Sequence, residues 1–326
     1  TPAEISGEIE AGLDFLETDL RDVPERQRSM RAVFDHSYRL LTEREREVFQ
    51  GLSVFRGGFD REAAQQVAGT SLRELRALVD KSLLQWVPAG RYGIHELLRQ
   101  YAAEQLEKVP ADKEAVQGRH CTYYADFLQQ READLTGRRQ KQALAEIGAE
   151  IENVRTGWDW AVARGKLEEM DRCLDSLAEF YRIRSRFAEG EEAFARVVRT
   201  LTGLYGQRAC QPEVRRRCKL VTGKALSRQA LFSFFLGRWE KAKRLLGEAV
   251  TLLRELDARR ETAYALHFLG RATQHFGTEA EPFYREALAV FREVDDRRGM
   301  AFCLRGLAWV ETYRGDMSAA EELDQE

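Results

Sequence analysis

The strongest constraint on this chain is its self-similarity. From Leu220 onward it repeats. Glu248-Ala-Val250 returns as Glu286-Ala-Leu288, and Leu253-Arg-Glu-Leu-Asp-Ala-Arg-Arg260 returns as Phe291-Arg-Glu-Val-Asp-Asp-Arg-Arg298. Ala263, Leu266, Leu269 and Gly277 return as Ala301, Leu304, Leu307 and Gly315, each pair 38 residues apart. One step earlier, Leu226 and Gly237 precede Leu266 and Gly277 by 40, so the second unit is two residues short between Gly277 and Ala287. A fixed period of this size marks a unit that cannot bury its apolar face alone and must stack on copies of itself. Apolar residues at steps of three and four on either side of a glycine predict a helix, a turn and a second helix. Ala242, Ala249 and Ala287 fall where such helices must approach closely.

These units resemble the tetratricopeptide repeat, in a variant slightly longer than the usual length of about 34 residues. Arg184-Ser-Arg-Phe-Ala-Glu-Gly190 reads as a degenerate earlier unit, with Phe187 where Trp239 stands later. The last unit opens a second helix at Gly315-Asp-Met-Ser-Ala-Ala-Glu-Glu-Leu323 and stops. A solenoid normally finishes with a polar capping helix, so the natural protein is expected to continue. Ahead of the repeats the pattern is helical throughout. Helices are expected near His120 to Ala133, Gln142 to Ala163, Leu167 to Arg182 and Ala188 to Leu201. Gly165 should end the second of these, and Gly203 to Cys210 should form a loop.

The front of the chain reads differently. Ile5, Ile9, Leu13, Leu16 and Leu20 make one helical stripe, followed by a charged connector from Arg21 to Arg28. Ser29 is placed to cap a helix carrying Met30, Val33, Phe34, Tyr38 and Leu41. Thr42 and Glu45 form a capping box ahead of Val48, Phe49, Leu52 and Phe55, with Gly57-Gly58 as the stop. Asp60 caps a short helix closed by Gly69, and Ser71 with Glu74 caps a third carrying Leu72, Leu75, Leu78, Val79 and Leu83. Leu84-Gln-Trp-Val87 and Arg91-Tyr-Gly-Ile94 around Pro88-Ala-Gly90 predict a β-hairpin. An amphipathic helix with Leu97, Leu98, Tyr101 and Leu106 follows, with His95 at the junction, and Val109-Pro-Ala-Asp112 reads as a linker. The expected fold is mainly α: a winged helix-turn-helix with a short β-hairpin, then an α-solenoid of tetratricopeptide-like helix pairs. Its expected segments are 1–28 (the end of a preceding helical region and connector), 29–109 (winged helix), 110–205 (helical connector) and 206–326 (repeats).

Several function classes have no support in the residues. The formal net charge of −3 over 326 residues leaves no global footprint for nucleic acid or an acidic membrane surface. No apolar run approaches the roughly 18 residues that span a bilayer. Cys121, Cys173, Cys210, Cys218 and Cys303 form no CxxC, which argues against a zinc ribbon or a disulfide framework and fits a reducing cytoplasm. There is no GxxxxGK phosphate loop: Gly223-Lys224 is followed by Ala225, and Cys218 stands where the first glycine belongs. HExxH and GxSxG are absent, and His36, His95, His120, His267 and His275 lie far apart. No catalytic residue and no metal ligand is assigned, and the chain is not expected to be an enzyme. The third helix carries Arg73, Glu74, Arg76, Asp80 and Lys81, a net of +1, which suits internal packing better than a DNA major groove. Arg215-Arg-Arg217 with Lys219 reads as a solvated face, and Trp158, Trp160, Tyr181, Trp239, Phe276 and Trp309 read mostly as core.

Residues 29 to 106 are similar to the winged-helix domain of the signal-transduction ATPases with numerous domains. The matching stretches are Ser29–Leu41, Leu52-Ser-Val-Phe-Arg-Gly-Gly-Phe59, Leu78-Val-Asp-Lys-Ser-Leu-Leu84 and Ile94-His-Glu-Leu-Leu-Arg-Gln-Tyr-Ala102. The chain as a whole resembles the part of bacterial members that follows the ATPase core. In that family a Met-His-Asp triplet at the winged-helix junction faces ADP held by the preceding ATPase domain; the triplet here is Ile94-His95-Glu96. The resemblance implies that His95 senses an ADP phosphate in the intact protein, with ADP or ATP as its nucleotide and none in this fragment. It implies an upstream ATPase domain of the same chain as partner. An unknown protein, peptide or small ligand would sit on the repeats. The resting state would be a monomer that assembles once activated. The alternatives are a DNA-binding transcription regulator acting through the winged helix, and a plain protein-interaction scaffold in which His95 only caps its helix.

Overall fold

A computed structural model describes residues 30–207, 210–273 and 278–325. The stripe from Ile5 to Leu20, the Ser29 cap, His275, Phe276 and Gly277 lie outside the described residues. The described chain divides into two compact units. One runs to Phe127 and includes Ala145–Trp160; the other comprises Leu128–Leu144 and the residues from Ala161 onward.

The first unit opens with α1 (Met30–Arg39), α2 (Glu43–Leu52), α3 (Arg61–Ala68) and α4 (Leu72–Asp80). Both capping boxes form. The Thr42 hydroxyl accepts from the Glu45 amide while the Glu45 carboxylate accepts from Thr42 N at 2.8 Å, and Ser71 and Glu74 repeat the exchange. Asp60 accepts from Ala63 N at 2.7 Å to start α3, and Gly69 closes it with φ 63°. Two expected helix ends differ. α2 stops at Leu52, well before Gly57-Gly58, because Ser53 caps it and frees Phe55 to turn inward onto Phe59, 4.5 Å away. α4 stops at Asp80, because Ser82 turns left-handed (φ 59°) and Leu83 N closes back on Leu78 O at 2.9 Å, which buries Leu83. The hairpin pairs β1 (Gln85–Val87) with β2 (Arg91–Gly93), Trp86 opposite Tyr92, through a 3-10 turn at Pro88–Gly90. Phe59 and Tyr92 exchange backbone hydrogen bonds of 2.9 and 2.8 Å, which ties the hairpin to the helices. Helices and a two-stranded hairpin thus follow one another in the order expected from the residues.

His95 then caps α5 (Glu96–Glu107). The expected linker reduces to a turn at Lys108-Val109, since Pro110 opens α6 (Pro110–Leu135), where its fixed φ and missing N–H cost a helix nothing. α7 (Gln140–Arg164) follows and ends at Gly165, φ 62°. A buried polar hub on its middle turns holds the hairpin. Glu150 pairs with Arg91 of β2 and accepts from Tyr124 Oη (2.9 Å) and Asn153 Nδ2 (2.8 Å). Asn153 also donates to Gly58 O at 2.8 Å and accepts from Arg56 N at 2.6 Å. These partners satisfy polar groups whose burial would otherwise cost on the order of 1–3 kcal/mol each.

The second unit is the α-solenoid. It contains α8 (Leu167–Ile183), α9 (Phe187–Tyr205), α10 (Pro212–Phe235), α11 (Trp239–Glu255), α12 (Arg259–Thr273), α13 (Glu281–Glu293), α14 (Arg297–Arg314) and α15 (Met317–Gln325), each packed on the next. α9 runs through Gly203, so the expected loop begins only at Gly206. The turns recur as the helices do. Ser185, Gly237 and Gly315 take positive φ between the helices of a pair, and Asp257 and Asp295, 38 apart, take it between pairs. Aspartate tolerates that region better than most residues. The two missing residues of the second unit show as a shorter helix: α13 has 13 residues and follows a 3-10 turn, where α11 has 17.

Close approach sets the stacking. Ala242, Ala249 and Ala287 are fully buried, as their spacing required. The ring of Tyr284 on α13 lies between α12 and α14 against two glycines. A Cβ on Gly270 would stand 2.7 Å from that ring and one on Gly306 2.5 Å, closer than any real contact. Gly306→Ala should therefore overpack the joint and cost about 1–3 kcal/mol. Gly247→Ala, inside α11 with open space around it, should gain about 0.5–1 kcal/mol from helix propensity. Urea denaturation of the two variants beside the parent measures both signs.

Candidate functional site

The first helices of the pairs line a groove of about 540 Å³, wholly within the second unit. The repeat register builds it. Arg260 and Arg298 are 38 apart and both face it, as do Tyr264 and Phe302. α8 contributes Asp175 and Glu179, α10 contributes Lys224, Ser227 and Arg228, and the end of α6 contributes Gln129 and Glu132.

The groove is charged but largely self-neutralised. Arg228 pairs with Asp175 through Nε at 3.0 Å, and Lys224 pairs with Asp171 at 2.5 Å. Arg260 holds Asp296 at 3.0 Å, where Tyr264 Oη also donates at 2.8 Å. Glu179 accepts from Arg298 at 2.7 Å and from Arg182 at 2.8 Å. Burial works against the ionised Asp175 carboxyl, but Arg228 and Lys224 outweigh it and hold the group below its ordinary range. At Asp296 burial is likewise outweighed by the Gly299 amide, the Tyr264 hydroxyl and Arg260. Burial, then the Asp296 carboxylate, pushes the Tyr264 phenol up to about 12. Glu132 makes none of these pairs, and burial together with Asp175 raises its carboxyl. Between the charges stand the faces of Tyr264, Phe268 and Phe302. Arg228 lies 6.0 Å from Phe268, Arg260 5.4 Å from Tyr264 and Arg298 5.3 Å from Phe302. Such a surface offers flat apolar contact framed by fixed dipoles, which suits recognition.

In the first unit His95 is exposed at the N-terminus of α5. Its Nδ1 accepts a long hydrogen bond of 3.4 Å from Leu97 N, the capping geometry. A neutral imidazole whose Nδ1 accepts carries its proton on Nε2 and offers it outward as a donor. On and beside α4, Glu74 is bound to Arg44 at 2.9 Å and the exposed Lys81 to Glu45 at 2.7 Å, so Arg73 and Arg76 are the exposed cations of that face outside these pairs, beside Asp80. In the basic cluster at the start of α10, Arg215 and Arg216 donate to backbone carbonyls of Gln207 and Leu256, and Lys219 pairs with Glu255.

A family model of the tetratricopeptide repeat matches residues 271–326. Two curated relatives are "Putative HTH-type transcriptional regulator Rv0890c" of Mycobacterium tuberculosis and its counterpart Mb0914c of Mycobacterium bovis. Each is 32% identical over 201 residues, 58% of this chain. The chain spans about a fifth of their length, 22%. Among solved structures, the signal transduction ATPase with numerous domains (STAND) with a tetratricopeptide repeat sensor, PH0952 from Pyrococcus horikoshii, is 16% identical. It aligns over all of this chain and half of its own, with a TM-score of 0.46. The repeat match thus falls within the second unit, and among the described residues no helix is long and apolar enough to cross a membrane.

The aromatics that line the groove are not those singled out in the sequence, which were read mostly as core. Trp158 and Tyr181 are buried, Trp239 is 42% exposed as the first residue of α11, and Trp309 stacks on Tyr313. The groove uses Tyr264, Phe268 and Phe302 instead. The signal was present: Arg260 and Arg298 close the quoted repeat, and Tyr264 and Phe302 lie one turn further on the same face.

Two outcomes follow. Asp175→Asn should leave Arg228 half-buried and unpaired, lowering stability by about 1–3 kcal/mol, and much less when introduced into Arg228→Met. Urea midpoints of the four chains in this cycle measure it. Burial pushes the imidazoles of His120 and His267 down to about 4 and about 3, with Arg271 and Arg305 adding to the effect on His267. An unfolded histidine, near 6.5, takes its proton first, so their stability is complete above about pH 6.5 and drains as pH falls toward 4. His267→Phe should retain about 2 kcal/mol more of its own pH 7 stability at pH 5 than the parent does. Equal losses in both proteins would contradict this.

Proposed function

We propose that this chain is a non-catalytic sensor and regulatory module of a signal-transduction ATPase. The solenoid takes a protein, peptide or small ligand in its groove. The winged helix couples that event to the nucleotide state of an ATPase domain carried elsewhere in the intact protein. The observation that carries the reading is His95. It stands exposed at a helix N-terminus, a place where backbone amides and the helix dipole already favour an anion. With Nδ1 engaged by Leu97 N, its Nε2–H is a donor for an ADP phosphate oxygen. Loss of ADP removes that bond and shifts the winged helix toward a released state, and ligand in the groove biases the same equilibrium. The resting form is a monomer that assembles on activation.

A second reading comes from the relatives' names: DNA binding by the winged helix. The face it would use carries two exposed arginines beside Asp80, few cations for phosphate neutralisation.

The deciding measurement uses the intact protein with its ATPase domain. Bound nucleotide is extracted with acid and resolved by chromatography, with and without His95→Ala. ADP retained by the parent and reduced at least about tenfold in the variant is the expected result, the loss of roughly one charge-assisted hydrogen bond. Equal retention makes His95 a capping residue and removes the switch. A salt-sensitive shift of duplex DNA by the chain itself would favour the second reading.

A further inference from the structure

The cations of the groove are matched by carboxylates, but two arginines just beyond it are not. Arg271 follows Phe268 by three residues on α12, and Arg305 follows Phe302 by three on α14, so each lies about one turn past a groove aromatic. Arg271 sits half-buried with its guanidinium 5.2 Å from the Phe234 ring and 5.9 Å from Phe235, and it shares a small cleft with Phe268. Arg305 is exposed, 5.6 Å from the ring centre of Phe302, the same ring that Arg298 approaches to 5.3 Å. Neither forms an ion pair among the described residues. Both arginines act on the buried His267, whose ring lies 5.4 Å from Phe302 and which as a neutral group does not offset them. Burial and the nearby guanidiniums of Arg305 and Arg182 weaken the hold of Arg271 on its proton, the mark of cations placed together without a counter-ion. The ring contacts hold these guanidiniums but leave their charge unmatched, and a bound anion would match it.

We infer that Arg271 and Arg305 form an anion-binding end of the groove, which takes the phosphate or carboxylate headgroup of a small ligand whose flat apolar body lies along Phe268 and Phe302. The stacked rings fix the guanidiniums and lower the cost of ordering them when the headgroup arrives. This rests on the reading of the groove as the ligand site.

Phenyl phosphate, benzoate and benzylamine serve as probes, titrated into the chain and followed by ligand-observed nuclear magnetic resonance and by thermal shift. Phenyl phosphate or benzoate should bind and benzylamine should not; the tighter of the two identifies the headgroup. Arg305→Gln, an exposed change, and Arg271→Met should each weaken that binding about tenfold or more, while Arg217→Gln on the distant basic cluster leaves it unchanged. Without probe, Arg271→Met should unfold at the same temperature as the parent or higher, because it removes an unpaired cation. A clear drop with no change in probe affinity makes Arg271 a structural cation–π contact and overturns the proposal. Binding lost in Phe268→Ala but intact in both arginine variants also overturns it and leaves the groove as a ligand site. Probe binding that no groove or arginine variant alters removes both readings together.

Discussion

Stacked helices can approach only as closely as the side chains between them permit, and in this solenoid that permission is given by missing atoms. The ring of Tyr284 occupies space that a methyl group on either Gly270 or Gly306 would contest. Ala242, Ala249 and Ala287 play the same part at neighbouring joints. Because packed interiors tolerate neither voids nor overlap, these contacts fix the spacing of the first helices of the pairs. That spacing in turn brings Arg228 within reach of Asp175 and Arg298 within reach of Glu179. The groove is a consequence of the joints behind it.

Much of this was legible in the residues because it rests on local or periodic signals. The capping boxes at Thr42 and Ser71, the hairpin around Pro88–Gly90 and the 38-residue period each have a short-range cause, and each formed. Helix ends went astray where tertiary packing overrode the local stop signal. Phe55 leaves α2 early because a buried aromatic cluster with Phe59 and Tyr124 is worth more than another helical residue. Leu83 does the same after α4. The hub of Glu150, Asn153 and Arg91 was invisible for another reason: a carboxylate on a charged helix looks like any other until the fold buries it.

The candidate sites divide along the same line. His95 was found from a pattern of neighbours in sequence, and its capping geometry fits both the structural role and the proposed one. The groove could not be found from single residues, since its charges come from five helices and most mean something only as pairs. The register of Arg260 with Arg298, and of Tyr264 with Phe302, was the available clue. It becomes readable once one asks which face of the first helix the repeat preserves.

The pairing of groove charges across units carries a consequence for how such an array can change over time. Arg228 and Lys224 reach partners 53 residues back, and Arg298 reaches one 119 residues back. Arrays whose units contact only neighbours through uniform apolar joints can gain or lose a unit by duplication or deletion with little penalty. Here, removing one pair of helices would strand charges in the units on both sides, and the shorter α13 would put a duplicated unit out of phase. Loss of one pair of helices is therefore costlier here than in a uniform array, and a change to one groove charge calls for a matching change in its partner across the groove.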